Sequence, residues 1–363
     1  MSSPWRPWMQ RALQLAALGS GRTSPNPLVG CVLLDANGQL VGEGFHQRAG
    51  TPHAEIHALR QAGVRARGGT AVVTLEPCCH HGRTPPCSDA LINAGVARVV
   101  VAMRDPDPRV AGGGIAQLQA AGISVIEAVC EAEARALNRA FLHRLQHGRP
   151  LGLLKWAMSL DGRTALPNGS SQWISGPEAR HWVHGLRSRC DAVIVGGGTV
   201  RADNPLLTSR GLRDPEPLRV VISRSLALPA EARLWRQQEA PTLVAHDSAA
   251  PEERCRQLDA AGVERLVLER CEPFALMEQL AQRGCNQVLW ECGPELAAAA
   301  LRQGCVQQLA VVLAPKLLGG LPARTPLGDL NLVDVNEAAS LQAERLQQLG
   351  RDLALELPTQ FSS

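Results

Sequence analysis

One short motif, His53-Ala54-Glu55, together with two later cysteines, constrains this chain more than any other feature. The imidazole of His53 and the thiolates of Cys78 and Cys87 are three good zinc ligands, and three protein ligands leave the fourth tetrahedral position open, as in a catalytic site. Glu55 lies two residues beyond the histidine and is the right residue type for a proton shuttle. The chain must therefore adopt a fold that brings these distant positions together.

This combination of residues is typical of zinc-dependent deaminases, in which the metal activates a water molecule and a glutamate that is not a ligand moves protons. The loop that carries the first cysteine also contains Cys79, His80 and His81, which remain alternative ligands. His57, four residues after the first histidine, gives the segment a partial likeness to a metalloprotease helix. That motif needs glutamate immediately after the first histidine, so the sequence disfavours a protease.

The length of 363 residues exceeds one typical core and predicts two domains. The polar segment 146–150 contains glycine and proline and is the expected linker. We therefore expect one domain over 1–147 and a second over 150–363.

Composition excludes several classes of protein. A hydrophobic content of 45% and a charged content of 20% are typical of a globular chain. No apolar run is long enough for a membrane span, and the first ten residues do not resemble a secretory signal. The net charge of +3 and the aromatic content of 3% argue against a nucleic-acid partner. The 11 cysteines predict free thiols and metal ligands in a reducing compartment, so we expect a cytoplasmic protein.

Apolar periodicity in the first domain predicts an α/β fold with helices on both faces of a mixed sheet. The predicted helices cover 8–18, 53–63, 115–121 and 131–145, with a short helix from Cys87, and the predicted strands cover 28–34, 39–45, 70–75, 96–103 and 123–127. Asn37-Gly38 lies between the first two strands and predicts a type I′ hairpin turn.

The second domain also shows an α/β pattern. Strands are predicted from Leu151 and over 191–196, 218–223, 241–245, 265–268, 287–290 and 309–313, with helices over 177–188 and 274–282. Two glycine-containing turns, 195–199 and 291–295, each follow a strand, which suits a nucleotide across the carboxyl ends of the strands. The glycine spacing is not that of a Rossmann fold, so tight connections are an equally good explanation.

The segment 74–87, Thr-Leu-Glu-Pro-Cys-Cys-His-His-Gly-Arg-Thr-Pro-Pro-Cys, resembles one family, the bifunctional riboflavin-biosynthesis deaminase/reductases. The segments 26–32, 42–46 and 49–55 match the same family. Cys79 is a departure, because the family usually has serine there.

For the first domain the resemblance implies a cytidine-deaminase-like α-β-α sandwich that deaminates 2,5-diamino-6-(5-phosphoribosylamino)pyrimidin-4(3H)-one with Zn²⁺. It also makes Asn26, His46 and Arg83 candidates for holding the ring and the ribose phosphate.

The second half carries further segments of the family, among them 159–163, 171–176, 203–208 and 314–320. The resemblance implies a dihydrofolate-reductase-like domain that reduces the ribosyl side chain to ribityl with NADPH. The implied cofactor contacts are Ala157, Trp173, Thr199, Asp203, Gly293, Pro294, Glu295, Leu296, Ala297, Ala298 and Ala299. The implied substrate contacts are Lys155, Ser171, Arg187, Leu207, Arg210 and Glu291, with Arg187 and Arg210 as phosphate clamps.

A second departure follows the strand 218–222, where the family usually has Asp-Ser and this chain has Ser223-Arg224. Arg224 is therefore a candidate for the 2′-phosphate of NADPH. The departure also keeps open a deaminase whose reductase domain is degenerate, and a non-catalytic protein that binds zinc and a nucleotide is a further alternative. We expect a homo-oligomer that acts on a small pyrimidine ribosyl phosphate.

Overall fold

The computed structural model describes residues 3–80, 85–107 and 111–359. The chain divides into two compact units, 1–147 and 148–363. Among the described residues, no helix combines the length and the apolar character that crossing a bilayer requires.

The first unit is a mixed five-stranded sheet with helices on both faces. The strands are β1 (Gly30–Leu34), β2 (Leu40–Phe45), β3 (Thr70–Val73), β4 (Arg98–Val101) and β5 (Ser124–Ile126), in the order β2-β1-β3-β4-β5. The helices are α1 (Arg6–Ala17), α2 (Ala54–Ala62), α3 (Cys87–Ala94), α4 (Gly113–Ala120), α5 (Glu131–Leu137) and α6 (Arg139–His147), with a 3₁₀ turn at Gly63–Ala66. β1 is antiparallel to β2 and β3, and β3, β4 and β5 are parallel.

Alternating side chains of the central strands form two cores. Val32 and Val72 pack against α1, α5 and α6 on one face, whereas Leu33 and Val73 pack against α2, α3 and α4 on the other. Because helices cover both faces, β1 and β3 are buried along their whole length. The predicted α-β-α class of the first domain is confirmed.

Two expectations for this unit were wrong in detail. Gly38 has a φ of +80°, but Asn37 does not have a positive φ, so the hairpin turn is not type I′, which needs both. The ladder instead has an irregularity between Leu33 and Leu34. The helix predicted over 131–145 is two helices that break at Asn138, whose side chain bonds both the N–H and the C=O of Leu28.

The second unit is a nine-stranded mixed sheet with helices on both faces, which confirms the α/β class. Its strands are β6 (Leu151–Ser159), β7 (Ala192–Gly196), β8 (Leu218–Ile222), β9 (Thr242–Asp247), β10 (Glu264–Leu268), β11 (Gln287–Trp290), β12 (Gln308–Ala314), β13 (Arg345–Leu349) and β14 (Asp352–Pro358). Its helices are α7 (Pro177–Arg189), α8 (Gly197–Asp203), α9 (Glu252–Ala260), α10 (Pro273–Gln282) and α11 (Pro294–Arg302), with 3₁₀ turns at Arg233–Trp235 and Val335–Glu337.

The strand order is β10-β9-β8-β7-β11-β6-β12-β14-β13. All neighbouring strands from β10 to β12 in this order are parallel. The terminal hairpin is antiparallel, both between β13 and β14 and where β14 pairs with β12. This hairpin, β13 and β14, and the helices α8, α9 and α11 were not among the predicted elements. α8 and α11 begin inside the two glycine-containing turns, so each turn is a helix start. The carboxyl ends of β8, β7, β11 and β6 therefore lie side by side, where open parallel sheets bind ligands.

Candidate active sites

In the first unit, three ligand atoms converge where two helices begin. His53 immediately precedes α2, Cys87 is the first residue of α3, and Cys78 lies in the loop after β3. His53 Nδ1 lies 3.6 Å from Cys78 Sγ and 3.3 Å from Cys87 Sγ, and all three atoms fall within 4.8 Å of one another. The backbone N–H of Cys87 donates to Cys78 Sγ at 3.3 Å. Unpaired N–H groups at a helix start favour thiolates in this way.

These distances suit a tetrahedral zinc ion. Zinc bonds of about 2.3 Å to sulfur and about 2.1 Å to nitrogen imply a nitrogen–sulfur separation of about 3.6 Å. A hydrogen bond from Cys87, together with one from His53, lowers the pKa of Cys78 to about 4 against the effect of burial, whereas the same hydrogen bond with Cys78 and burial raise the pKa of Cys87. One imidazole and two sulfurs, one of them already favoured as thiolate, form a donor set that matches Zn²⁺.

Glu55 is the carboxylate that faces this cluster. Its residue is only 3% exposed, and Oε2 has no hydrogen-bond partner among the described residues. Burial, followed by the nearby charge of Cys78, raises the pKa of Glu55. A buried carboxylate oxygen without a partner is costly for stability alone, so it marks a group that is kept for a ligand or a proton.

Two predicted substrate residues lie beside the cluster. The ring of His46 packs edge-on against that of His53, with 5.3 Å between ring centroids. His46 Nδ1 donates to the carbonyl of Pro52 at 3.3 Å, so its Nε2 accepts from the Asn26 side-chain amide at 3.1 Å. Burial lowers the pKa of His46, which agrees with a neutral ring. Asn26 and His46 thus form one polar wall next to the three candidate zinc ligands.

The alternative ligands are placed differently. Cys79 packs on α4, where a Cβ added to Gly113 would lie 2.7 Å from its Sγ. His57 is half-buried on α2, with Nε2 lacking a hydrogen-bond partner among the described residues. His80 is exposed. His81 and the predicted phosphate contact Arg83 lie outside the described residues.

In the second unit, the cofactor candidates follow the ends of neighbouring parallel strands. Ser223 and Arg224 follow β8, α8 carries Thr199 and Asp203 after β7, and the turn at Gly293 follows β11. Ala157 lies near the end of β6. The sheet order places these strand ends next to one another.

Two glycines leave this edge open to a ligand. A Cβ added to Gly293 would find its nearest neighbour, Thr199 Oγ1, at 4.0 Å, and one added to Gly198 would find Arg201 Nη2 at 4.0 Å. Both glycines lie at helix starts, where backbone N–H groups favour anions. This open backbone suits the phosphates of a dinucleotide such as NADPH.

An exposed aromatic ring stands near the same edge. Trp173 is 63% exposed, and the guanidinium of Arg180 lies 4.7 Å from the centroid of its ring. Lys316 Nζ donates to the Trp173 carbonyl at 2.5 Å. The Ser171 hydroxyl donates to Asp203 Oδ1 at 3.4 Å, which ties the segment before the tryptophan to α8. These contacts hold the Trp173 ring close to two other candidate residues, Ser171 and Asp203.

The predicted substrate contacts Arg187 and Glu291 bind each other. Arg187 Nε and Nη2 donate to the two carboxylate oxygens of Glu291 at 2.5 and 3.0 Å, and Nη1 donates to the carbonyl of Thr208 at 3.0 Å. Lys155 Nζ lies 3.9 Å from Glu291 Oε2. Burial, followed by the charges of Arg187 and Arg210, lowers the pKa of His184. Two of the three hydrogen bonds of the Arg187 guanidinium go to Glu291, whereas Arg210 is exposed and its side chain has no hydrogen bond to the described residues.

Three predicted contacts have their side chains in the hydrophobic core. Leu207 is 3% exposed, and Ala297 and Ala298 are each 1% exposed. They can meet a ligand only through the backbone. Arg210 and Arg224 are exposed, and the side chain of Arg224 makes no hydrogen bond or ion pair with the described residues.

The sequence reasoning passed over Glu76, which is 3% exposed and whose carboxylate accepts four backbone N–H bonds. Its only signal in the sequence is a charged residue directly after the predicted strand 70–75 and two positions before Cys78.

A buried carboxylate beside a site of one imidazole and two thiolates is the arrangement of a zinc-dependent deaminase. In the second unit, open helix starts at the end of a parallel sheet define a nucleotide-dependent enzyme domain.

Comparison with known proteins agrees with both assignments. Residues 4–103 match the family described as the cytidine and deoxycytidylate deaminase zinc-binding region, and residues 150–355 match the RibD C-terminal domain. The riboflavin biosynthesis protein RibD of Synechocystis sp. is 52% identical over 344 residues, covering 95% of this chain and 93% of the relative.

Two solved structures are similar over nearly the whole chain. RibD of Acinetobacter baumannii is 41% identical with a TM-score of 0.88, covering 98% of this chain and 99% of that one. A diaminohydroxyphosphoribosylaminopyrimidine deaminase/5-amino-6-(5-phosphoribosylamino)uracil reductase from Thermotoga maritima is 33% identical with a TM-score of 0.86, covering 98% of each chain.

The chain belongs to the RibD family. It is a deaminase and a reductase of riboflavin biosynthesis, and its cofactors are Zn²⁺ and NADPH. Because the similarity extends over both halves, it does not favour a degenerate reductase domain or a non-catalytic protein.

Proposed function

We propose that residues 1–147 deaminate 2,5-diamino-6-(5-phosphoribosylamino)pyrimidin-4(3H)-one and that residues 150–363 then reduce the ribosyl side chain, giving 5-amino-6-(5-phosphoribitylamino)uracil. The two activities that name the Thermotoga maritima relative support these substrates. The observation that carries the proposal is the cluster of His53, Cys78 and Cys87 with ligand atoms within 4.8 Å, next to a buried Glu55 oxygen that has no partner among the described residues.

In the first reaction His53, Cys78 and Cys87 would hold the metal. When bound, the zinc ion supplies an acidified water molecule as nucleophile. Glu55 Oε2 accepts a proton from that water and delivers it to the departing amino nitrogen. Asn26 and His46 hold the pyrimidine ring, an assignment that their mutual hydrogen bond beside His53 supports. Arg83 remains a predicted phosphate contact.

In the second reaction NADPH supplies the hydride, and the protein binds and orients the reactants. The residues that would hold this cofactor are Ala157, Trp173, Thr199, Asp203, Ser223, Arg224 and the segment 293–299. Arg210 binds the substrate phosphate together with Ser171 and the backbone at Leu207. Lys155, Arg187 and Glu291 are the further proposed substrate contacts, and Arg187 and Lys155 both lie against the Glu291 carboxylate.

The test is incubation of the purified enzyme with the diaminopyrimidine phosphate, with and without NADPH. Ammonia should appear without NADPH, and NADPH should be consumed only after deamination. Glu55→Gln should abolish ammonia release yet retain zinc, because it removes the proton shuttle and no ligand. The same variant should still reduce the deaminated substrate, which controls for folding of the second unit. Loss of zinc from Glu55→Gln would show instead that Glu55 is a ligand.

Arg224 is proposed to bind the 2′-phosphate of NADPH. Its exposed side chain follows β8 at the proposed cofactor edge, and its charge has no partner among the described residues. Hydrogen bonds to charged groups contribute about 1.5–3 kcal/mol, so Arg224→Ala should lower the NADPH/NADH ratio of kcat/KM by about 10-fold or more. Arg270→Ala is the matched control, because Arg270 is an exposed arginine that follows β10, two strands further along the sheet. An unchanged cofactor preference in Arg224→Ala would refute the assignment.

We infer a cytoplasmic location, which the free state of all 11 cysteines supports. The homo-oligomeric state and the lack of a nucleic-acid partner stay predictions, to be measured by analytical ultracentrifugation and by nucleic-acid binding at several salt concentrations.

A further inference from the structure

Glu76 holds two separate backbone segments with one carboxylate. Oε2 accepts the N–H groups of Asp105 at 3.2 Å and Gly112 at 3.0 Å, and Oε1 accepts those of Gly114 at 3.0 Å and Ile115 at 3.2 Å. Gly112 caps the start of α4, and Gly114 and Ile115 belong to its first turn. The negative charge therefore lies where a helix start favours it, and four donors replace the water lost on burial.

The segment that begins at Glu76 is packed tightly against the same helix. A Cβ added to Gly114 would lie 1.9 Å from the carbonyl oxygen of Pro77, so only glycine permits this contact. The N–H of Glu76 also donates to the carbonyl of Met103 at 3.0 Å. The chain is thus fixed on both sides of Glu76 before it reaches Cys78.

Cys78 itself is held by α3. The N–H of Cys87 donates to its sulfur at 3.3 Å, and the N–H of Ser88 donates to its carbonyl at 3.2 Å. Ser88 Oγ also bonds Gln117 Oε1 of α4 at 2.8 Å. Two helices therefore hold the segment 76–78 in place: α3 bonds Cys78 directly, and α4 bonds the side chain of Glu76.

We propose that Glu76 is a positioning residue for the zinc site: by fixing residues 76–78 on α4, it sets the position of the Cys78 sulfur before metal binds. This inference rests on the proposed ligand role of Cys78. A ligand loop that is already ordered avoids the entropy loss of ordering on metal binding, so the preset loop increases affinity. Groups that orient ligands in this way typically alter metal affinity by about 10–100-fold.

The test is Glu76→Gln, with zinc affinity measured by competition with a chelating dye. Glutamine has the same shape, but its NH₂ group would replace one carboxylate oxygen. The two backbone N–H groups that donate to that oxygen would then face a donor instead of an acceptor. We expect zinc affinity to fall by about 10–100-fold. The thermal stabilisation of the first unit by added zinc should shrink accordingly, because that stabilisation follows the ratio of zinc concentration to Kd.

Asn138→Ala is the matched control for a purely structural effect. Asn138 is 2% exposed and makes two hydrogen bonds to Leu28 in the same unit, but it contacts none of the three ligands in the described structure. It should lower the stability of the apoprotein while leaving zinc affinity unchanged. Glu76→Asp, which keeps the charge on a shorter side chain, replaces the glutamine variant if that variant fails to fold, and the same loss of affinity is expected.

Two outcomes separate the inference from the function on which it rests. If Cys78→Ser loses zinc but the Glu76 variant binds it as tightly as Asn138→Ala does, the positioning role is overturned and the ligand role stands. If Cys78→Ser keeps the parental zinc affinity, the ligand assignment fails and the inference fails with it. Reduction of the deaminated substrate by every variant verifies that the second unit is intact.

Discussion

The buried ion pair between Arg187 and Glu291 allows a quantitative prediction for Glu291→Gln. The two side chains are 14% and 10% exposed and share two hydrogen bonds, and Lys155 adds a second positive charge at 3.9 Å. Burial alone would raise the pKa of Glu291, but the charge and hydrogen bonds of Arg187, followed by the charge of Lys155, hold the pKa below its ordinary value. Glutamine keeps the shape but removes the carboxylate that pairs with Arg187 and lies close to Lys155.

Removal of one partner from a buried pair costs about 3–5 kcal/mol. Glutamine retains one acceptor oxygen, so we take the lower limit of about 3 kcal/mol for this pair. The second unit, 148–363, falls in the size range of about 150–250 residues, for which 1 kcal/mol shifts Tm by about 2–4 °C. The unfolding transition of the second unit should therefore drop by about 6–12 °C.

The assay is differential scanning calorimetry of the full chain at pH 7, with Glu264→Gln as the control. Glu264 pairs with Arg283 at 2.6 Å, but its side chain is 55% exposed, so its loss should cost no more than about 1 kcal/mol. Because the folded-state pKa of Glu291 is lowered, the stability that its charge contributes is present above the ordinary glutamate pKa of about 4.3 and is lost as the pH falls below it. The difference in Tm between the parent and Glu291→Gln should therefore become smaller in acid. A Tm drop no larger than that of Glu264→Gln would refute the reasoning.

Two further predictions concern close packing and a surface carboxylate. Gly30→Ala should destabilise the first unit by about 1–3 kcal/mol in urea unfolding, because the added Cβ would lie 2.0 Å from the carbonyl oxygen of Ala12. Gly122→Ala is the control: its added Cβ meets no neighbour among the described residues and is strained only by the φ of +81°, so it should cost less. The Ser159 hydroxyl, followed by the N–H groups of Gly319 and Leu318, lowers the pKa of Asp161 to about 2. Its contribution to stability should be complete above the ordinary aspartate pKa of about 3.9 and lost as the pH falls towards 2, so the difference in Tm between parent and Asp161→Asn should narrow only in that window.

The sequence predicted the central elements of both sheets because their apolar runs are long and regular. It failed where tertiary contacts override the local pattern. The break between α5 and α6 occurs because the side chain of Asn138 bonds the backbone of Leu28, a partner far away in the chain. The hairpin at Asn37-Gly38 has the expected glycine in the left-handed region but a different turn, since the partner strands meet with an irregularity at Leu34.

The chemical identity of the first site was determined by the sequence alone. His53, Glu55, Cys78 and Cys87 are residue types with few other joint uses, and their order along the chain needs no coordinates to suggest a metal and a proton shuttle. The reductase half could be read only through family resemblance, because arginines, alanines and glycines have many roles in any fold.

The tertiary structure decided which of these groups are engaged with one another. The guanidinium of Arg187 is hydrogen-bonded to Glu291, and the side chains of Leu207, Ala297 and Ala298 are buried. The carboxylate of Glu76 is held by backbone N–H groups of Asp105, Gly112, Gly114 and Ile115, which lie about 30–40 positions further along the sequence. Residue type fixes which chemistry a side chain can perform, but burial and partners depend on long-range packing, and these determine which side chains remain available to a ligand.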